Sequence, residues 1–160
     1  MVTHLPSPKQ VRDLLGDLLG REVDLGPATP FAPGPTTPAS VAVYVDDALM
    51  IRALVAADLP FSAYAGGAIG LVPVAGAEAA VDEGALTETL AENLYEVLNV
   101  AASLFNVPDA DHLRLHELHP AGAQVPPPVR AAALTLGRRE DLWIDIAGYG
   151  KGALSIVFIA

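Results

Sequence analysis

The stretch Leu86–Asn106, LTETLAENLYEVLNVAASLFN, decides how the rest of the chain is organised. At 100° per residue, Leu86, Leu90, Leu94, Val97, Leu98, Ala101, Leu104 and Phe105 fall on one broad apolar side. Glu88, Glu92, Glu96, Asn99, Ser103 and Asn106 fall on the other, with Tyr95 at the border one turn before Asn99. The pattern predicts a helix ~30 Å long. Such a helix can brace a small domain with one face and present the other to a partner.

Upstream, Asp58-Leu59-Pro60 predicts the start of a second helix, Phe61 to about Val72. Ala63, Gly66, Gly67 and Gly70 leave one side of it almost bare. Glycine weakens a helix, so the expected benefit is close approach of a neighbouring backbone. No GxxxxGK[ST] pattern makes these glycines a phosphate loop. Before that helix, Val41–Val45 and Leu49–Ala57 flank Asp46-Asp47-Ala48 as a hairpin. Paired Asp residues suit turn geometry, a simpler role for Asp46 and Asp47 than metal binding. Residues Pro73–Gly84 read as a loop.

At the N-terminal end, Ser7-Pro8-Lys9-Gln10 predicts a capping box with Pro at the first helical position. Val11, Leu14, Leu15, Leu18 and Leu19 continue a helical stripe, and Gly20 can end it. Five prolines between Gly26 and Pro38 leave room only for an extended connection. Downstream of the long helix, Pro108–Asp111 is a stop and Leu113–Leu118 a strand. Pro120–Pro128 is irregular. Ala131–Leu136 and Leu142–Ala147 read as strands around a charged turn. Gly148–Gly152, with Lys151 at its tip, turns into a last strand, Ala153–Ile159. Strands segregated around two helices predict an α+β fold. In it, two central helices pack on a largely antiparallel sheet, with an N-terminal helix. One domain spans residues 1–160. Residues 1–39 form the N-terminal helix and Pro-rich connection, and residues 40–160 the core.

The formal net charge is −10, and nine Lys plus Arg are scattered through 160 residues. No basic face is expected, which argues against nucleic acid as a partner. Without Cys there is neither a disulfide framework nor thiolate chemistry. Although 52% of residues are hydrophobic, no apolar run is long enough to span a membrane. MVTHLPSPKQ lacks the basic and apolar regions of a signal peptide. The expectation is a cytoplasmic protein with protein or small-molecule partners, and no membrane or nucleic acid among them.

Three groups of residues could carry chemistry. Glu96 and Asn99 lie three apart on the polar face of the long helix. Glu accepts and pairs with cations, while Asn both donates and accepts, so it can orient a water without taking its proton. With no nucleophile or metal, this pair could act only by completing a site that a partner brings. A solvated helix face is the competing explanation. His112, His116 and His119, with Asp109, Asp111 and Glu117, form a second group. On a strand, His112 and His116 are ~13 Å apart, too far to hold one ion, and no metal site is expected. No GxSxG motif or Ser-His-acid arrangement marks a hydrolase.

The run Glu92–Ser103, ENLYEVLNVAAS, resembles the long-helix motif of the CheC/CheX/FliY family of chemotaxis phosphatases. The order of elements from about Ser40 to Ile159 is similar too, and Pro120 looks like the proline after that family's next strand. The resemblance is specific at Glu96-x-x-Asn99. It implies a CheC/CheX-like fold in which Glu96 docks a CheY-like response-regulator receiver. Asn99 would position water for attack on the receiver's aspartyl phosphate. Glu92, Tyr95 and Ser103 would contact the partner around them. The chain would need no cofactor of its own, because the receiver site supplies Mg²⁺. Two positions depart from the motif: Glu92 stands where Asp or Ser is preferred, and Ser103 where Gly is usual. The first central helix carries no Glu-x-x-Asn. The chain therefore looks more like single-site CheX, a dimer built through its sheets, than two-site CheC. Two other functions stay open: a non-catalytic CheC/CheX-like adaptor that binds a receiver or other signalling protein, and a metal- or ligand-binding domain using the histidines.

Overall fold

The computed structural model describes residues 2–159. The chain runs α1 (Pro8–Leu19), β1 (Val23–Pro27), β2 (Ala39–Val45), β3 (Ile51–Asp58), α2 (Leu59–Ile69), α3 (Val74–Glu83) and α4 (Glu88–Ala101). A 3₁₀ turn (Ala102–Leu104), β4 (Arg114–His119), α5 (Pro127–Ala133), β5 (Arg139–Ile146) and β6 (Gly150–Phe158) follow. Three helices begin at a side-chain cap. Ser7 and Gln10 form the reciprocal box of α1, Asp58 accepts from the Phe61 N–H at the start of α2, and Thr87 accepts from the Leu90 N–H at the start of α4. Each cap takes up a backbone donor that the helix itself cannot satisfy. Gly20 ends α1 in the left-handed conformation, which glycine adopts without strain.

The six strands form one antiparallel sheet in the order β1-β5-β6-β3-β2-β4. β2 is buried along its whole length, because both of its faces are covered. Ala42 and Tyr44 point into the main core beneath α1, α2 and α4, with Val11, Leu15, Phe61, Leu94 and Leu98. Val41, Val43 and Val45 face the other way and are covered by Val129 and Ala133 of α5. A third small cluster, Ala63, Ala77, Ala80 and Leu90, joins α2, α3 and α4. Two buried serines tie the layers together. The Ser62 hydroxyl donates to Ser40, and Ser40 accepts the Ala121 N–H just past Pro120.

The α+β class, the antiparallel sheet and the paired central helices agree with the sequence reading, and several local expectations do not. Pro73–Gly84 is not a loop, because Val74–Glu83 is helical and buries Ala77 and Ala80. Ala131–Leu136 is not a strand. Residues 127–133 form α5, opened by prolines whose missing N–H costs nothing in a first turn, and Leu136 is 81% exposed. The segment after Gly20 contains an edge strand, β1, paired with β5. Lys151 lies on β6 opposite Asp145, not at a turn tip, with its ammonium 4.3 Å from the centre of the Trp143 ring. Leu49 belongs to the β2–β3 turn, at φ 64°, and α2 starts and ends earlier than predicted.

Candidate functional site

The long helix is shorter than its sequence period implies. α4 is α-helical over Glu88–Ala101 and tightens into the 3₁₀ turn at Ala102–Leu104. Leu90, Leu94, Val97, Leu98 and Ala101 are buried as the stripe predicts. Asn106 leaves the polar band and folds back. Its amide donates to the Leu113 carbonyl and accepts the Leu113 N–H, at 2.9 and 2.8 Å. That pair fixes the exit of the helix toward β4.

Glu88, Glu92, Tyr95, Glu96, Asn99 and Ser103 are all exposed. Glu96 and Asn99 stand one turn apart, about 4.5 Å along the axis by helical rise. No hydrogen bond or ion pair within the described residues engages either side chain. Tyr95, 42% exposed, stands beside them. These residues occupy the convex surface of a helix rather than a cavity. A large open groove, of about 870 Å³, lies elsewhere, between α1 and the β1 edge, lined by Arg12, Asp17, Arg21, Asp24 and Asp145 among others. A carboxylate and an amide on a convex face cannot enclose a small substrate. They can act only against a surface that brings the reacting group to them.

The position of this face is set from its buried side, by residues that periodicity does not single out. Gly66 of α2 lies so close to α4 that a Cβ there would stand 2.7 Å from the Leu90 carbonyl oxygen. The bare side of α2 therefore serves the close backbone approach that its glycines predict. Across this contact the Asn93 amide donates to the Gly66 carbonyl, at 3.0 Å, and its side chain fills the space over Gly70. One polar bond thus fixes where α4 sits along α2. Asn93 is visible in sequence only as a mid-helix Asn facing a glycine-rich helix, without its partner. On the other side of α2, the Tyr149 hydroxyl donates to the Val72 carbonyl, at 2.5 Å, and so holds the turn between α2 and α3.

The electrostatics are one-sided. Between Arg52 and Arg114 the chain has no Lys or Arg. Glu78, Asp82, Glu83, Glu88, Glu92 and Glu96 are all exposed on α3 and α4. Burial raises the pKa of the Tyr64 phenol on α2, and the nearby Glu78, Asp82 and Asp58 raise it further. The histidines are dispersed. His112 Nδ1 is 3.8 Å from Asp47, His119 Nε2 is 3.5 Å from Glu117, and His116 is exposed on the edge strand β4. Among the described residues no three His, Asp or Glu converge as metal ligands. Among the described residues no helix is long and apolar enough to cross a membrane.

No family model and no curated protein matches the sequence. Solved structures match the fold. The chain is similar to the FliM middle domain from Vibrio alginolyticus, with a TM-score of 0.57 and 11% identity over 93% of this chain and 86% of that one. It is similar to FliY from Thermotoga maritima, with a TM-score of 0.54 and 13% identity over 98% and 93%. It is also similar to a chain of the CheX-CheY-BeF3-Mg²⁺ complex from Borrelia burgdorferi, with a TM-score of 0.50 and 9% identity over 92% of each chain. On these similarities, the chain has the CheC/CheX/FliY-like fold.

Proposed function

We propose that the chain is a CheX-like phosphatase that accelerates hydrolysis of the aspartyl phosphate on a CheY-like receiver, within a chemotaxis or related two-component pathway. The observation that carries this reading is the free, exposed pair Glu96 and Asn99 on a convex helix whose buried side is rigidly held. The similarity to a chain of a CheX–CheY complex supports the class of partner.

Glu96 docks the receiver, with Glu92, Tyr95 and Ser103 around it. Asn99 holds a water in line with the phosphorus. As the water oxygen bonds to phosphorus, the acyl phosphate P–O bond breaks. Inorganic phosphate leaves and the receiver's Asp carboxylate is restored. The receiver supplies the acceptor Asp and the Mg²⁺ that neutralises charge on the phosphoryl oxygens. This chain supplies positioning, worth ~2–4 kcal/mol, or roughly 30- to 1,000-fold in rate. The edge strands β1 and β4 are the elements through which a homodimer would form.

The test is the rate of phosphate loss from phosphorylated receivers of the same organism, with wild type, Asn99→Ala and Glu96→Ala. Wild type accelerates the loss, Asn99→Ala removes most of the acceleration while still binding, and Glu96→Ala weakens binding. No acceleration with any cognate receiver overturns the enzyme reading. A second reading, a non-catalytic adaptor, is favoured by the similar FliM structures from H. pylori, which are complexes with FliG and with SpeE. Under that reading Asn99→Ala changes binding and there is no turnover to lose.

A further inference from the structure

At its last turn, α4 leaves a carbonyl without its helical partner. The Ala102 N–H turns to the Asn99 and Val100 carbonyls instead of reaching back four residues to Leu98. The Leu98 carbonyl is inside the core, where an acceptor without a donor is costly. Tyr44 supplies the donor: its hydroxyl lies 2.6 Å from that oxygen, across 54 positions of sequence.

The placement of Tyr44 is specific. It lies on β2 with no exposed surface, and its ring meets Phe105 edge-on, 5.0 Å between centroids, just past the 3₁₀ turn. Both ladders of β2 slip at this residue. Against β4 the register shifts between Val43 and Tyr44, so that His116 has no opposite number. Against β3 it shifts between Tyr44 and Val45, and Arg52 is skipped. The extra residue of each bulge stands on the neighbouring strand, while β2 keeps its alternation, so Tyr44 faces the helices between Val43 and Val45, which face α5. Burial, with a smaller contribution from Tyr95, pushes the Tyr44 phenol far above its usual range. Its proton therefore stays available for donation at any working pH.

We infer that Tyr44 is a positioning residue for Asn99. By holding the Leu98 carbonyl at the point where α4 tightens, it sets the azimuth and height at which the next residue, Asn99, leaves the helix. The inference rests on the phosphatase reading for its kinetic consequence and on Tyr44 geometry alone for its structural one. Tyr44→Phe keeps the ring and removes only the bond. In that variant kcat for receiver dephosphorylation falls ~10-fold with KM changed less than ~2-fold, the pattern expected when a water-holding group is misplaced and docking is intact. In an Asn99→Ala background the same substitution has no further effect on kcat, because Tyr44 acts through Asn99. Amide hydrogen exchange of the variant speeds up over Asn99–Leu104 and not across the sheet.

An unchanged kcat overturns the inference. So does a loss that persists in full without Asn99, or a uniform rise in exchange, since either marks a general structural role. If wild type shows no turnover on any receiver, the phosphatase reading has failed by itself. Exchange over Asn99–Leu104 then decides separately: local loosening upholds the positioning role of Tyr44, and unchanged protection overturns it.

Discussion

α2 and α4 lie side by side on the same sheet and have opposite characters. α2 is buried on nearly every side. Its residues are small, α3 covers it from outside, and the Gly66 backbone nearly touches α4. α4 buries one stripe and leaves a carboxylate, an amide and a tyrosine in solvent. In the resembling family a central helix is a place where a Glu-x-x-Asn motif can stand. In this chain the α2 position lacks those residues, and α3 also occupies the space a partner would need. The difference teaches that, on the proposed reading, confinement of the site to α4 has two causes, chemistry missing from α2 and a helix laid over it. Restoring the motif to α2 would not restore a site.

Substitutions can break or sharpen this contrast. The largest expected effect is on the outer face of α4. On the proposed reading, Asn99→Ala removes most phosphatase activity, ~2–4 kcal/mol of transition-state stabilisation, yet leaves thermal stability equal or slightly higher, because Ala is the better helix former. Turnover and melting measured on the same preparation check both halves, and a joint fall would erase the distinction between the helices. Next is Gly66→Ala on α2. Its new Cβ meets the Leu90 carbonyl oxygen, which is backbone and cannot swing away. The expected loss is about 1–3 kcal/mol in urea unfolding. Asn93→Ala, between the two helices, removes the bond to Gly66 and costs ~1 kcal/mol. It also lowers turnover, since the height of α4 on α2 is no longer fixed.

Smaller effects come from charge. If the exposed acids of α3 and α4 steer a basic receiver surface, raising ionic strength from ~0.01 to ~1 M shrinks the Debye length from about 30 to about 3 Å. The association rate should then fall ~10-fold while turnover of the formed complex holds. A rate indifferent to salt would separate docking from the acidic face. The smallest effect is at the cap of α2. Burial raises the pKa of Asp58, so the folded state keeps a proton over a range where the unfolded chain has lost it. The contribution of this group to stability is therefore greatest at low pH and is lost as pH rises through the ordinary carboxylate range and up to the raised value. Asp58→Asn keeps the capping oxygen and removes that slope. The expected gain at pH 7 is under ~1 kcal/mol, read from melting temperature against pH.

What the sequence disclosed follows the same physics. α1 and α2 were legible because each begins at a side chain that caps it, and α1 and α4 because they carry wide stripes of Leu and Val. α3 and α5 were not. Pro73 and Pro126 stand at their starts without a capping side chain, and their buried residues are mostly alanines, whose small area gives no stripe to see. β1 is five residues long and ends in Pro27, so it merges into the proline-rich run after it. That Glu96 and Asn99 share an exposed face was legible from their spacing. Asn93 and Tyr44, which hold that face in place, act through partners in other elements, and no local pattern announces a bond across 54 positions.

The stretch without Lys or Arg between Arg52 and Arg114 has a consequence for copies of this chain meeting one another. Two molecules approaching by their α4 faces bring the carboxylates of Glu88, Glu92 and Glu96 against one another, with no Lys or Arg on α4 itself to pair with them. Such an encounter is repelled before any contact forms, whereas a basic surface is drawn to the same place. Charge of one sign thus keeps the convex, partly apolar ridge around Tyr95 from being covered by its own kind. The same charge favours a basic surface of a different molecule at this face.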